Sequence, residues 1–241
     1  MQLEWTDGGE AFAHGAAAHV AGLLAETPSA AIALPTGTTP IGLYERLMVL
    51  ARTGSVALAA AHYFNLDEYV GIAPADPHSF AAFLRRHFLD AADIPADHVR
   101  LLRGDAPDIA AEAAAHDAAV AAQGGLDLAI LGLGGNGHIA FNEPGADWSS
   151  GTHVVPLTLE TRIANAAYFA DDFTVPTHGL TMGIGMIRAA RRILLMVSGR
   201  AKADALAMLL AGRPDPHWPV TALCGHPGLT VVADAALRAD R

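Results

Sequence analysis

An α/β fold, with a mostly parallel sheet between two layers of helices, follows from three features of the 241-residue sequence. Short apolar runs alternate along the chain with longer segments of helical pattern, the order that builds a parallel sheet covered on both faces. Those runs are near-continuous instead of alternating with polar residues, as strands buried on two faces require. Several of them end in a glycine-containing turn before the next helix, which makes strand–turn–helix units. The predicted architecture is a three-layer αβα sandwich with a Rossmann-like sheet.

In chain order, Gly8 to Leu24 is alanine-rich and predicts a first helix, with Asp7 as its candidate cap. Ala30 to Leu34 is a strand. Pro35-Thr36-Gly37-Thr38-Thr39-Pro40 then turns compactly into a helix over residues 41–51, where Ile41, Leu43, Tyr44, Leu47, Met48 and Leu50 share a face and Pro40 suits the first turn. Free amides and the helix dipole make this turn a candidate anion site, although it lacks the GxxxxGK[ST] spacing of a nucleotide-phosphate loop. Ala61 to Tyr69 predicts a strand ending in two adjacent carboxylates, and in extended chain Asp67 and Glu68 point to opposite sides. A helix at Pro77 to Leu89, a short strand at Val99 to Leu102 and an alanine-rich helix from Asp108 to Ala122 follow.

The most informative stretch comes next. Leu126 to Leu131 is a strand that runs into Gly132, Gly134, Gly135 and Gly137, which permit a sharp turn and close backbone approach to a ligand. Asn136, His138, Asn142 and Glu143 lie just past that strand, where open α/β sheets bind small molecules. Taken singly, a glycine turn and a lone histidine are ordinary. A histidine and a carboxylate beside so glycine-dense a turn is a costly way to build a plain loop, since each glycine adds backbone entropy lost on folding.

Beyond Trp148 the pattern gives a strand at Thr152 to Leu157, a polar segment through Tyr168, and THGLTMGIGMIRAA, whose glycines imply close packing around the site. Arg192 to Val197 is another buried strand, leading through Ser198-Gly199-Arg200-Ala201-Lys202 into a helix that ends at Leu210. A last strand spans Leu229 to Val232. No repeat, low-complexity tract or linker divides the chain, so residues 1–241 are expected to form one domain.

Composition narrows the partners. A formal net charge of −10 disfavours nucleic acid but leaves room for a local cationic pocket that takes a sugar phosphate. The one cysteine, Cys224, precludes an intramolecular disulfide and a cysteine-based zinc site, and fits a reducing compartment. The twelve histidines show no HExxH spacing, so no structural metal is expected. The N-terminal residues lack a basic segment followed by an apolar core, and the apolar runs fall short of the about 20 residues of a membrane span. A cytoplasmic protein without membrane association is the expectation.

The strings LPTGTTPIGLYERL, FNLDEYVGI, LGLGGNGHIAFNEPG, TRIAN, LTMGIG and SGRAKADAL, in that order from Leu34 to Leu206, resemble the glucosamine-6-phosphate deaminase family. These are aldose–ketose isomerases that also release ammonia, within the superfamily shared with 6-phosphogluconolactonase. FNLDEY and GNGHIAFNEP are the specific strings; the others support them. The resemblance implies conversion of glucosamine 6-phosphate to fructose 6-phosphate and ammonia, without a cofactor and with a sugar phosphate as the only implied partner. It makes Asp67 the base that moves a proton between C2 and C1, His138 the acid–base group that opens the sugar ring, and Glu143 the residue that orients and tunes His138. Asn136 stands where many members carry aspartate, keeping hydrogen bonding but not charge. Thr36, Gly37, Thr38 and Thr39 would hold the phosphate, with Lys202 supplying charge.

Two departures qualify the match. TRIANAAYF carries Ala167 where the family usually places a phosphate-contacting arginine, a contact of about 1.5–3 kcal/mol, and Arg162 or Arg200 are the candidate replacements. GADWSSGTHVVPL lacks the lysine or arginine of the allosteric members, so activation by an amino-sugar phosphate is not expected. Three alternatives stay open at this point. One is action on a different amino sugar or sugar phosphate, because of Ala167. Another is a 6-phosphogluconolactonase-type hydrolase, against which the Asn142-Glu143 pair argues. The third is a non-catalytic sugar-phosphate sensor, which has no need to keep Asp67, His138 and Glu143 together. Homo-oligomerisation is left open.

Overall fold

The computed structural model describes residues 1–166, 169 and 174–238. The first half of the chain contains β1 (Gln2–Thr6), α1 (Gly9–Glu26), β2 (Ala31–Leu34), α2 (Ile41–Arg52), β3 (His62–Asn65), β4 (Asp67–Tyr69), α3 (Phe80–Leu84), β5 (Val99–Arg100) and α4 (Ile109–Ala122). The second half contains β6 (Leu128–Leu131), β7 (His153–Pro156), α5 (Leu159–Asn165), β8 (His178–Thr181), α6 (Ile184–Ala189), β9 (Arg192–Val197), α7 (Ala203–Leu210) and β10 (Leu229–Asp234). Helix α3 continues into a π-helical turn, Arg85–Leu89.

Seven strands form a parallel sheet in the order β1-β10-β9-β6-β2-β3-β5. Alternation along the strands fills two cores. Ile32, Leu34 and Ile130 pack with Phe12, Leu43, Tyr44 and Phe88 from α1, α2 and the π turn. Ala33, Ala129 and Leu131 pack with Val120, Ile187 and Leu206 from α4, α6 and α7 on the other face. The expected three layers therefore form because the central strands β2, β6 and β9 are apolar on both sides. Strands β2 and β6 are neighbours, yet the chain leaves β2 toward β3 and leaves β6 toward β9. This reversal opens a crevice beyond the carboxyl ends of the two strands, the usual ligand position in such sheets.

The run Ala61 to Tyr69 is two strands, not the one expected. Leu66 is the break: its N–H donates to Leu34 O at 3.2 Å, while its carbonyl accepts from Met182 N at 2.7 Å. Beyond it, β4 joins an antiparallel three-stranded sheet, β4-β8-β7. The buried Asn65 side chain fixes the switch, donating from Nδ2 to Asp67 O at 2.7 Å and accepting from Leu102 N at 2.8 Å. Both strands are extended and only one residue separates them, so sequence periodicity does not mark the change of sheet.

Other expectations need correction. Gly8, at φ 67°, is the N-cap of α1, and no side chain caps it. Asp7 lies one position too early for that role. Strand β1 is an edge strand of mixed polarity and carries no buried-strand signature. The polar segment before Tyr168 contains α5, capped by Thr158, whose Oγ1 accepts from Thr161 N at 3.2 Å. The close packing expected of the THGLTMGIGMIRAA glycines is present: a Cβ at Gly183 would run into the Ser150 and Gly151 carbonyls. No described helix is long and apolar enough to cross a membrane.

Candidate active site

Three loop ends meet in the crevice. The first is the turn from β2 into α2, where Gly37 takes φ 90°, a conformation that favours glycine. Tyr44, fully buried one turn into α2, donates its hydroxyl to Pro35 O at 2.5 Å and stacks on Phe88 with ring centroids 4.9 Å apart. The threonine turn is thereby tied to both the helix that follows it and the π turn. Thr36, Gly37, Thr38 and Thr39 all line a cavity of about 360 Å³.

Asp67, at the start of β4, lines the same cavity. It is 8% exposed. Among the described residues it makes no ion pair and no side-chain hydrogen bond. Burial, with Glu68 adding like charge, pushes its carboxyl up to about 8. Glu68 points the other way, as extended chain demands, and accepts from Tyr69 N at 2.9 Å, Phe80 N at 3.0 Å and Ala81 N at 2.9 Å. Burial raises this carboxyl to about 7 against the pull of those three donors.

The third loop end is the glycine turn after β6. Gly134 N donates to His138 O at 2.9 Å, and a Cβ at Gly134 would overlap the His138 ring, so glycine is required there. Asn136 Oδ1 accepts from His138 N at 3.1 Å, and Asn136 Nδ2 donates to Glu143 Oε2 at 2.7 Å. Glu143 Oε2 lies 3.8 Å from His138 Nδ1, beyond hydrogen-bond reach. That nitrogen is buried and has no partner among the described residues, which leaves Nε2 as the ring nitrogen turned to the cavity. Burial holds the imidazole below its ordinary value and Lys202 adds to this, while Glu143 and Glu160 oppose it. Ala140, also on the cavity, takes φ 49°, a strained conformation for a residue with a Cβ. Asn142 is fully buried and donates to Ile139 O and Met182 O, so it holds the loop and does not reach the cavity.

All nine expected site residues thus gather at one place, seven on the cavity wall, with Asn136 and Glu143 just behind His138. Lys202 is on the wall and half-buried; burial lowers its ammonium and Glu160 opposes that. Neither Arg162 nor Arg200 lines the cavity, and Arg162 donates instead to Val175 O at 3.2 Å. Arg86 does line it, from the π turn that Tyr44 and Phe88 bring beside the threonine turn. Sequence reasoning placed Arg86 in the helix from Pro77 to Leu89 and gave it no role, since a helical pattern alone does not show that this turn packs beside the threonine turn. It also missed Thr161, on the wall from α5, although a threonine cap at Thr158 was a legible signal for that helix. Ala167 lies outside the described residues. No cluster of three or more metal-binding side chains occurs among the described residues.

A buried carboxylate unpaired among the described residues, an imidazole with a cavity-facing nitrogen, and a helix start with hydroxyls and two cations are the parts for moving protons on a small anion. The family model for glucosamine-6-phosphate isomerases and 6-phosphogluconolactonase matches residues 7–232. The chain belongs to this family. Among its relatives, a glucosamine-6-phosphate deaminase of Porphyromonas gingivalis is 41% identical over 219 residues, 90% of this chain and 83% of the relative. One of Bacillus velezensis is 42% identical over 219 residues, 91% of each. A solved monomeric glucosamine-6-phosphate deaminase, 37% identical, superposes with a TM-score of 0.96 over 100% of both chains. A 6-phosphogluconolactonase of Thermotoga maritima, 19% identical with a TM-score of 0.74 over 97% of this chain and 98% of its own, shares the fold.

Proposed function

We propose that this chain is a glucosamine-6-phosphate deaminase, converting glucosamine 6-phosphate and water to fructose 6-phosphate and ammonia. The observation that carries the reading is Asp67, a desolvated carboxylate with no partner among the described residues, set on a cavity wall shared with His138 and the threonine turn. A lone buried carboxylate is costly to maintain, and raised basicity is what proton abstraction beside a carbonyl needs. The naming of the 41–42% identical relatives supports the same substrate.

In this reading the phosphate rests on the amides and hydroxyls of Thr36 to Thr39 at the start of α2, with Lys202 as its counter-charge and Arg86 in place of the arginine that Ala167 lacks. His138 Nε2 takes the proton from the anomeric hydroxyl and returns one to the ring oxygen, opening the sugar. Asp67 then removes the C2 proton and delivers a proton to C1. The aldehyde becomes a C1 alcohol while C2 becomes an imine; water adds to C2 and ammonia leaves. Asn136 and Glu143 hold and tune His138. Every group invoked comes from one chain, consistent with the monomeric solved relative. That self-sufficiency supports treating residues 1–241 as one catalytic domain, and the free thiol of Cys224 supports a cytoplasmic setting.

The test is release of ammonia and fructose 6-phosphate from glucosamine 6-phosphate, with unphosphorylated glucosamine and 6-phosphogluconolactone in parallel. Turnover of the phosphorylated amino sugar alone is expected. An inert amino sugar beside a hydrolysed lactone would overturn the reading in favour of the hydrolase.

A further inference from the structure

Glu143 is assigned above to tuning His138, and the structure shows what holds Glu143 itself. Its Oε2 accepts from Asn136 Nδ2, while its Oε1 accepts from the Thr161 hydroxyl. The Thr158 hydroxyl also lies 3.2 Å from Oε1, but its single proton is shared with Thr161 Oγ1 at 3.1 Å. Thr161 is therefore the dedicated donor. It is only 4% exposed, it sits in the first turn of α5, and it lines the cavity.

We propose that Thr161 is a positioning residue for His138 that acts through Glu143: its hydroxyl pins the carboxylate to α5, short of the imidazole. The proposal rests on the deaminase reading only in taking His138 as the ring-opening group. The geometry fits it closely. Glu143 stands 3.8 Å from a buried Nδ1 that has no other partner among the described residues, so a modest rotation of the carboxylate would close an ion pair. The bonds from Asn136 and Thr161 oppose that rotation and draw negative charge away from the ring. The other charged groups that act on His138 are Lys202, from the turn before α7, and Glu160, from α5. Neither is altered by removing the Thr161 hydroxyl.

The experiment is an NMR titration of the His138 ring in the ligand-free protein, comparing Thr161→Val, Thr161→Ser and each in a Glu143→Gln background. With the Thr161 bond gone and only those from Asn136 and Thr158 left, Glu143 turns toward Nδ1, and Thr161→Val is expected to raise the proton affinity of His138 by about tenfold, one pH unit. Thr161→Ser restores the original midpoint, and in the Glu143→Gln background Thr161→Val has no effect. A midpoint unmoved by Thr161→Val, or moved equally without Glu143, would overturn the proposal and leave Thr161 as part of the helix start. If the valine variant does not fold, Thr161→Ala removes the same hydroxyl with less bulk and is judged by the same outcomes. No substrate is present, so this result stands apart from whether glucosamine 6-phosphate is turned over.

Discussion

Asp67 and Glu68 are adjacent carboxylates on one short strand, and both are shielded from water. What separates them is their partners. Glu68 faces the start of α3 and takes three amide hydrogen bonds, among them Phe80 N and Ala81 N. Asp67 faces the cavity and takes none from the described residues. Burial alone therefore does not distinguish a structural carboxylate from a chemical one; the donor count does. The switch of sheets at Leu66 produces the difference, since it turns β4 so that one of its faces closes on α3 and the other opens on the crevice.

The largest expected break of this comparison is Asp67→Asn. Removing the base is expected to lower turnover by roughly 10²–10⁴-fold while leaving substrate binding measurable, as checked by ammonia release and calorimetry. The folded carboxyl titrates far above its ordinary value, so it binds a proton that the unfolded chain releases. Its stabilising contribution is complete below about pH 4 and is lost as pH rises through about 8. Asp67→Asn removes that loss and is expected to be the more stable protein above pH 8 in denaturant titrations. Glu68→Gln works in reverse: an amide nitrogen would face the Ala81 N–H, donor against donor. Denaturant titration is expected to show a loss of about 1–3 kcal/mol.

Smaller effects sharpen the picture. With Asp67 as the base, kcat/KM is expected to rise about tenfold per pH unit below pH 8 and to level off above it, because only the ionised form accepts the proton. A flat profile from pH 6 to 8 would remove Asp67 from the chemistry. Arg86→Ala is expected to raise KM about tenfold with kcat largely kept, the pattern of a lost contact to a phosphate that does not react. Tyr44→Phe deletes the bond to Pro35 O and is expected to destabilise by ~1 kcal/mol in the same denaturant assay.

Much of this was legible in the residues. The apolar run into four glycines marked β6 and its loop, the turn from Pro35 to Pro40 marked the helix start, and FNLDEY marked the carboxylate pair. The alternation of side chains in a strand also placed Asp67 and Glu68 on opposite sides correctly. Long-range pairing was not legible. Nothing local at Leu66 announces a move to a second sheet, because that move is made by Asn65, Leu34 and Met182, the last of them more than a hundred positions away. Thr161 and Glu143 are eighteen residues apart and meet only because α5 folds back over the glycine loop. Arg86 reaches the cavity through a π turn, whose widened register no helical periodicity anticipates.

The most direct test of the central claim is a carbon-13 NMR titration of the aspartate carboxyls in the ligand-free protein, with Asp67 assigned by the resonance that Asp67→Asn removes. A midpoint near pH 8 is predicted for a desolvated carboxylate that has no donor among the described residues. A midpoint near 4, the ordinary aspartate value, would mean that Asp67 is solvated or paired in solution, and the contrast with Glu68 on which the account rests would fail.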